Sequence, residues 1–390
     1  MKRIYLDNAA TTPIRNEVLK VIINTLKYSF GNPSSIQHSY GRAARSIIEE
    51  SRICIANNIQ ASPSEIIFTS GGTEGNNLVL RSSVYDLNVQ HILTSKLEHI
   101  SVLETVLDLS KKNKTLINFI HFNDKGTHDI NHIEDLLKKY YSKKRILVSL
   151  MYANNEIGNI LEINDVIFLC KKYNAYFHSD MIQFIGNFSI NMKELLVDFA
   201  TASAHKFYGP KGIGFVFIRK NILSKIKHFI TGGNQEYGIR SGTENLAGIA
   251  GLSESLKLSK NNFYHHTKKI KMLKKYSILE LKKIIPDIIF NGLSSHLDKS
   301  IPSILNFLFP VKKIDYLLYF RLDLMGVSVS KGSSCNVSNN QQISHVIKSI
   351  TNEFVLRKSM PIRISFGIFN KKKDIDIFIN SIEKVKKIYK

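Results

Sequence analysis

Short apolar runs alternate with helical patterns through the first half of this 390-residue chain, and that alternation narrows the fold more than any other feature. The runs are EIIFTS, HILTS, INFIHF, RILVSLMY, AYFHS, FATASA and GFVFI. Helical patterns lie before and between them. They cover Asn16–Phe30 and Ser39–Asn58, open at Thr73 and Ile100, and cover Ile133–Tyr140 and Val166–Tyr173. Strands that alternate with helices predict a largely parallel sheet covered on both faces. Ligands of such sheets bind at the carboxyl ends of the strands. Thr73, Asn154, Asn155, Asp180, His205 and Lys206 all fall at those ends.

Beyond Gly242 the texture changes. A helical pattern spans Thr243 to about Leu258, and a Lys-rich one follows to Ile284. The runs SILNFLF, GVSVS and MPIRISFG come next, and the chain closes on an amphipathic helix with Ile375, Phe378, Ile382 and Val385 on one face. This half reads as a smaller α+β unit. The chain is too long for one small core, and the expected division is residues 17–262 as a large unit and 1–16 with 263–390 as a small one.

The most informative segment for chemistry is SAHKFYGPKGIG, Ser203 to Gly214. Lys206 follows an apolar, small-residue run, which places its amine at the end of a buried strand. A desolvated lysine has a lowered pKa and can be a neutral nucleophile. Asp180 ends the apolar run AYFHS, where a carboxylate needs a cationic partner. In enzymes that use pyridoxal 5'-phosphate (PLP), a protonated pyridine nitrogen is that partner. Alone, Lys206 reads as a surface lysine and Asp180 as a helix cap; together at two strand ends they suggest a PLP enzyme.

The net charge of +22 comes from lysines scattered among isoleucine and asparagine, with no Trp and no basic helix interleaved with aromatics. That pattern fits base-composition bias better than nucleic-acid binding. No apolar stretch is long enough to span a bilayer, and the start MKRIYLDNAATTP has no signal-type apolar core before Asp7, so a cytoplasmic location is expected. Cys54, Cys170 and Cys335 share no metal-type spacing, and their odd number fits a reducing compartment. Cys54 and Cys170 read as small buried hydrophobes within helices. Cys335 lies in KGSSCNVSNNQQ, whose composition predicts an exposed loop.

GGT at Gly71–Thr73 follows a strand and opens a helix, a place for a phosphate. No Walker-A spacing or dinucleotide-binding unit accompanies it. In chain order the motifs are LDNAATTP, FGNPSS, FTSGGTEGNN, EHISVLET, MYANNEIG, HSDMIQFIG, SAHKFYGPKGIG, GGNQEYGIRSGTEN, SVSKGSSC and PIRISFG. This series resembles the cysteine desulfurases of the NifS/IscS type, class-V aminotransferase-fold PLP enzymes, from about Tyr5 to the C-terminal helix. The resemblance implies the fold type I of PLP-dependent transferases: a large domain with a mostly parallel mixed sheet covered by helices, and a smaller α+β domain.

The resemblance also implies roles. Lys206 would hold PLP covalently, Asp180 would pair with its ring nitrogen, and Gln183 would hydrogen-bond its ring hydroxyl. His99 would stack on the ring and shuttle a proton. Gly72, Thr73, Ser203 and His205 would hold the phosphate, and Thr243 would reach the phosphate of the other subunit of a homodimer. Asn155 and Arg363 would bind the carboxylate of L-cysteine, for which the arginine fork is suited. Cys335 would take the sulfur as a persulfide and pass it to an iron–sulfur scaffold or a tRNA-thiolation protein, with an iron–sulfur cluster contact through Cys335. Asn187, Asn234, Tyr237 and Ile368 depart from the family's usual wording. Asn234 and Tyr237 lie in a loop expected to face the dimer partner. A selenocysteine lyase on the same fold would share Lys206 and Asp180 without needing Cys335. A non-enzymatic sulfur or metal carrier would need paired cysteines or histidine clusters, and a nucleic-acid-binding protein would show salt-dependent DNA retention.

Overall fold

The computed structural model describes residues 3–332 and 343–389. Its centre is a seven-stranded sheet built from β2 (Ile66–Thr69), β3 (His91–Thr94), β4 (Leu116–Phe119), β5 (Ile146–Ser149), β6 (Tyr176–Asp180), β7 (Phe199–Ser203) and β8 (Gly214–Ile218), in the order β2-β8-β7-β6-β5-β3-β4. Strands β4, β3, β5, β6 and β7 run parallel. Strand β8 is antiparallel to both its neighbours. The sheet is thus mostly parallel and mixed, as expected. The connection supplies the reason: ten residues, 204–213, lie between the end of β7 and the start of β8, too few for a helical crossover, and bring the chain back antiparallel. Strands β2, β3, β5, β7 and β8 are buried along their whole length, which accounts for their unbroken apolar or small-residue sequences.

Helices α1 (Asn16–Tyr28), α2 (Ser39–Ile59), α3 (Gly72–Tyr85), α4 (Ile100–Asn113), α5 (Ile130–Tyr140) and α6 (Ile163–Lys172) belong to this half. The short α7 (Lys220–Leu223) leads on to α8 (Leu246–Asn261). Helix α8 begins three residues later than its sequence pattern suggested, because Asn245 caps it by accepting from Gly248 N. Apolar clusters fill the space on both sides of the sheet. Cys170 is buried in one of them, whereas Cys54 is only half-buried, against expectation: its place on α2 does not turn fully inward.

The second unit holds α9 (Phe263–Ile284) and α13 (Lys372–Tyr389) against an antiparallel sheet of β9 (Ile289–Phe290), β10 (Ile304–Pro310) and β12 (Ser359–Ser365). The short helices α10 (Leu317–Leu324), α11 (His345–Ile350) and α12 (Glu353–Leu356) connect its parts. The amino terminus joins this unit. Strand β1 (Ile4–Tyr5) pairs in parallel with β11 (Val327–Ser328), and Ile4 and Leu6 enter the same apolar cluster as Leu273, Phe307 and Phe378. The segment after Leu6 then crosses to the central sheet, where Thr12 N donates to the carbonyl of His205.

Candidate active site

The parallel strands change direction of progression between β3 and β5, and ligands of such sheets gather beyond the carboxyl ends at that point. A cleft lies there. Gly72, Thr73, His99, Asn155, Asp180, Gln183, Ser203, His205, Lys206 and Arg363 all line it. Thr243 does not; it is exposed in the segment before α8. Cys335 lies outside the described residues.

Each side chain is set by its element. Asp180 ends β6 and is buried; its Oδ2 accepts from Asn76 Nδ2 at 2.8 Å and its Oδ1 from Ile182 N at 3.0 Å. Strand β7 stops at Ser203, three residues before Lys206, and a short 3-10 turn over Ala204–Lys206 carries the amine into the cleft. Lys206 Nζ donates to the carbonyls of Ala9 at 2.7 Å and Ala10 at 2.8 Å. Gln183 Nε2 also donates to Ala9 O, at 3.0 Å. His205 shares a hydrogen bond between its Nδ1 and Thr11 Oγ1. Burial, helped by the charges of Lys206 and Lys211, pulls its pKa down to about 4 and leaves it neutral at pH 7.

Arg363 comes from β12 in the smaller unit and is 1% exposed. Its Nη2 donates to Asp7 Oδ1 at 2.9 Å and its Nη1 to Asn155 O at 2.7 Å, while buried Nε has no hydrogen-bond partner. A buried, unpartnered N–H on an arginine beside a cleft is a donor for an incoming anion. Two buried carboxyls lie close by. Burial pushes Glu98 well above the ordinary carboxylate range, and Asp180 nearby adds to the effect. Burial likewise raises Glu156.

The donor set fits PLP. The start of α3 offers backbone N–H groups and the positive end of a 14-residue helix, with Ser203 and His205 beside it, for a phosphate. A Cβ at Gly72 would meet the tip of Ile182, a side chain that itself lines the cleft. Asp180 provides a carboxylate for a protonated ring nitrogen, and Lys206 an amine for an aldehyde. Residues that sequence reasoning left without roles complete the site. Asp7, Ala9, Ala10, Asn76 and Ser101 all lie inside LDNAATTP, FTSGGTEGNN and EHISVLET. Two of them act through backbone carbonyls, which side-chain chemistry does not reveal.

The family model for class-V aminotransferases matches residues 4–378. The chain belongs to the class-V aminotransferase family and, within it, to the cysteine desulfurases of the NifS/IscS type. It is 42% identical to cysteine desulfurase IscS of Dictyoglomus turgidum, over 99% of this chain and 95% of that one. Among solved structures it resembles a NifS-like protein with a TM-score of 0.87 at 31% identity, covering 99% and 100% of the two chains. A NifS-like protein from Rickettsia africae gives a TM-score of 0.84 at 32% identity, covering 99% of each.

Proposed function

We propose that this protein is a PLP-dependent cysteine desulfurase that converts L-cysteine to L-alanine and leaves the sulfur as a persulfide on Cys335. The observation that carries the reading is the convergence of Lys206, Asp180 and Arg363, from two units of the fold, on one cleft. When bound, PLP supplies a sink for the electron pair left as the substrate loses its α-proton. Asp180, anchored by Asn76 and Ile182 N, holds the positive charge of the ring nitrogen. The start of α3, Thr73, Ser203 and His205 hold the phosphate, and Gln183 faces the ring hydroxyl. Lys206, once its amine is released, takes the α-proton and returns it. Arg363 and Asn155 fix the substrate carboxylate. The Cys335 thiolate attacks the substrate sulfur; a S–S bond forms, the Cβ–S bond breaks, and the carbon takes up a proton to become the methyl group of alanine.

In this reading the protein is a cytoplasmic homodimer in which Thr243 serves the neighbouring subunit's phosphate. Residues 17–262 form its large domain, and 1–16 with 263–390 its small one. Sulfur leaves Cys335 for acceptor proteins of iron–sulfur assembly or tRNA thiolation. No helix among the described residues is long and apolar enough to cross a membrane.

Two variants test the reaction. Lys206→Ala is expected to lose the cofactor's covalent attachment, seen as loss of a borohydride-trappable absorbance, together with all turnover. Cys335→Ser is expected to keep the cofactor spectrum and still bind cysteine, yet release no alanine in a single turnover, while Cys54→Ser and Cys170→Ser stay active. Alanine release by Cys335→Ser at the wild-type rate would overturn the persulfide route in favour of a lyase without a protein nucleophile.

A further inference from the structure

His99 occupies the N-cap of α4, and its ring is held in an orientation that fixes where its proton resides. Nδ1 accepts from Ser101 N at 3.1 Å and stands 2.8 Å from Ser101 Oγ. A backbone N–H can only donate, so Nδ1 carries no proton. The hydroxyl points the same way for a separate reason. Asn76 Nδ2 lies 2.8 Å from Asp180 Oδ2 and 2.9 Å from Ser101 Oγ. A carboxylate only accepts, so the amide must turn its NH₂ toward Asp180; the opposite flip would set two acceptors against each other. The second hydrogen of that NH₂ then goes to Ser101 Oγ, and the Ser101 hydroxyl hydrogen is left to point at His99 Nδ1. Asn76 is fully buried and Ser101 and Asp180 nearly so, so water does not compete for these bonds.

We propose that Asn76 and Ser101 are positioning residues that transmit the orientation of Asp180 to His99 and lock its imidazole as the neutral tautomer protonated on Nε2. The proton then sits on the ring edge away from Ser101, and His99 lines the cleft. A ring in this state donates a hydrogen bond from Nε2, and the lone pair on Nδ1 is already engaged by Ser101. A helix N-terminus also disfavours a positive ring. In the reaction proposed above, on which this role but not the tautomer rests, His99 is a fixed donor to an anionic or sulfur group, and the proton transfers at the α-carbon fall to Lys206.

The test is ¹⁵N-histidine NMR of the purified holoenzyme, with the His99 resonances among the 13 histidines identified by their loss in His99→Gln. The expected pattern has a pyridine-type Nδ1 and a pyrrole-type Nε2. A proton on Nδ1, or a doubly protonated ring at pH 7, in the wild-type protein overturns the proposal without recourse to any variant. Ser101→Ala and Asn76→Ala each leave the Ser101 N–H as the one remaining fixed donor to Nδ1, and are expected to weaken the lock, raising the fraction of the other tautomer and lowering kcat for cysteine about tenfold, the effect of one hydrogen bond. Ser101→Thr, which keeps the hydroxyl, is expected to restore both. An unchanged tautomer in both alanine variants removes the positioning role. Should the tautomer stand while cysteine turnover is absent, the proposed function fails and the lock remains.

Discussion

At the residue scale, Arg363 has a divided task. Its guanidinium is 1% exposed, ion-paired to Asp7 and hydrogen-bonded to Asn155 O, so its plane is fixed before a substrate arrives. A fixed fork loses little freedom when it binds a carboxylate. Lysine would keep the charge but not the second N–H arm. We expect Arg363→Lys to raise KM for cysteine roughly ten- to a hundredfold, the value of one charge-assisted hydrogen bond, with a much smaller change in kcat and none in the cofactor spectrum. Steady-state kinetics decide it, and an unchanged KM removes Arg363 from substrate binding. Asp7→Asn is expected to act in the same direction but less strongly, since the arginine loses a brace and not its fork.

At the element scale, the turn Gln235–Gly238 is tied to α2 and β2 by one carboxylate. Glu236 accepts from Arg52 Nη2 at 2.7 Å, from Arg52 Nη1 at 3.0 Å and from Phe68 N at 2.7 Å. Both side chains of the pair are almost wholly buried, at 3% and 2% exposure. Removing Glu236 leaves Arg52 with the half-exposed Glu49, 3.3 Å from its Nε, and the Ile66 carbonyl, so the buried side of its charge loses its partner. We expect Glu236→Ala to cost about 3–5 kcal/mol in urea unfolding, while an Arg52→Met/Glu236→Leu pair loses far less. A loss below about 1 kcal/mol in Glu236→Ala would show that Glu49 or water takes over the charge of Arg52. The unusual Asn234 and Tyr237 lie in and beside this turn. Neither lines the cleft, and Tyr237 is half-exposed over the Arg52 guanidinium. Their departure from the family wording therefore bears on this corner of the fold and not on the catalytic groups.

At the scale of the whole molecule, acid stability reports on the centre of the sheet. His178 on β6 bridges Ser149 Oγ and Thr201 Oγ1 on the neighbouring strands and is fully buried. Burial takes its pKa down to about 3 from an ordinary 6.5. Between those values the unfolded chain binds the proton and the folded one does not. The stability from this group is thus complete above pH 6.5 and is lost progressively as pH falls toward 3. His178→Gln, which keeps hydrogen-bonding capacity without a titrating group, is expected to be less stable at pH 7.5 yet to lose less stability on acidification to pH 4.5. Paired urea melts at the two pH values measure the difference. Equal losses in both proteins would place the acid-sensitive groups elsewhere, at His205, His128 or His266, each lowered to about 4 by burial.

The chain's own sequence determined the layered fold and most of the cleft. Buried strands are continuous apolar or small-residue runs because both their faces meet helices, and that signal is local. Asp180, His205 and Lys206 were legible because strand ends are where such sheets place ligands. Four other features were not legible in local sequence patterns. Strand β1 has two residues and no pattern of its own; only its partner β11 makes it a strand. The reversal at β8 followed from a connection too short for a crossover helix. The roles of Ala9 and Ala10 come from backbone carbonyls that any residue carries, placed against Lys206 by the path of the segment between the two units. The orientation of His99 depends on Asn76 and Asp180, 23 and 81 positions away in the chain. A proton's position on a ring is set by which donors and acceptors surround it in space, and sequence order does not state that.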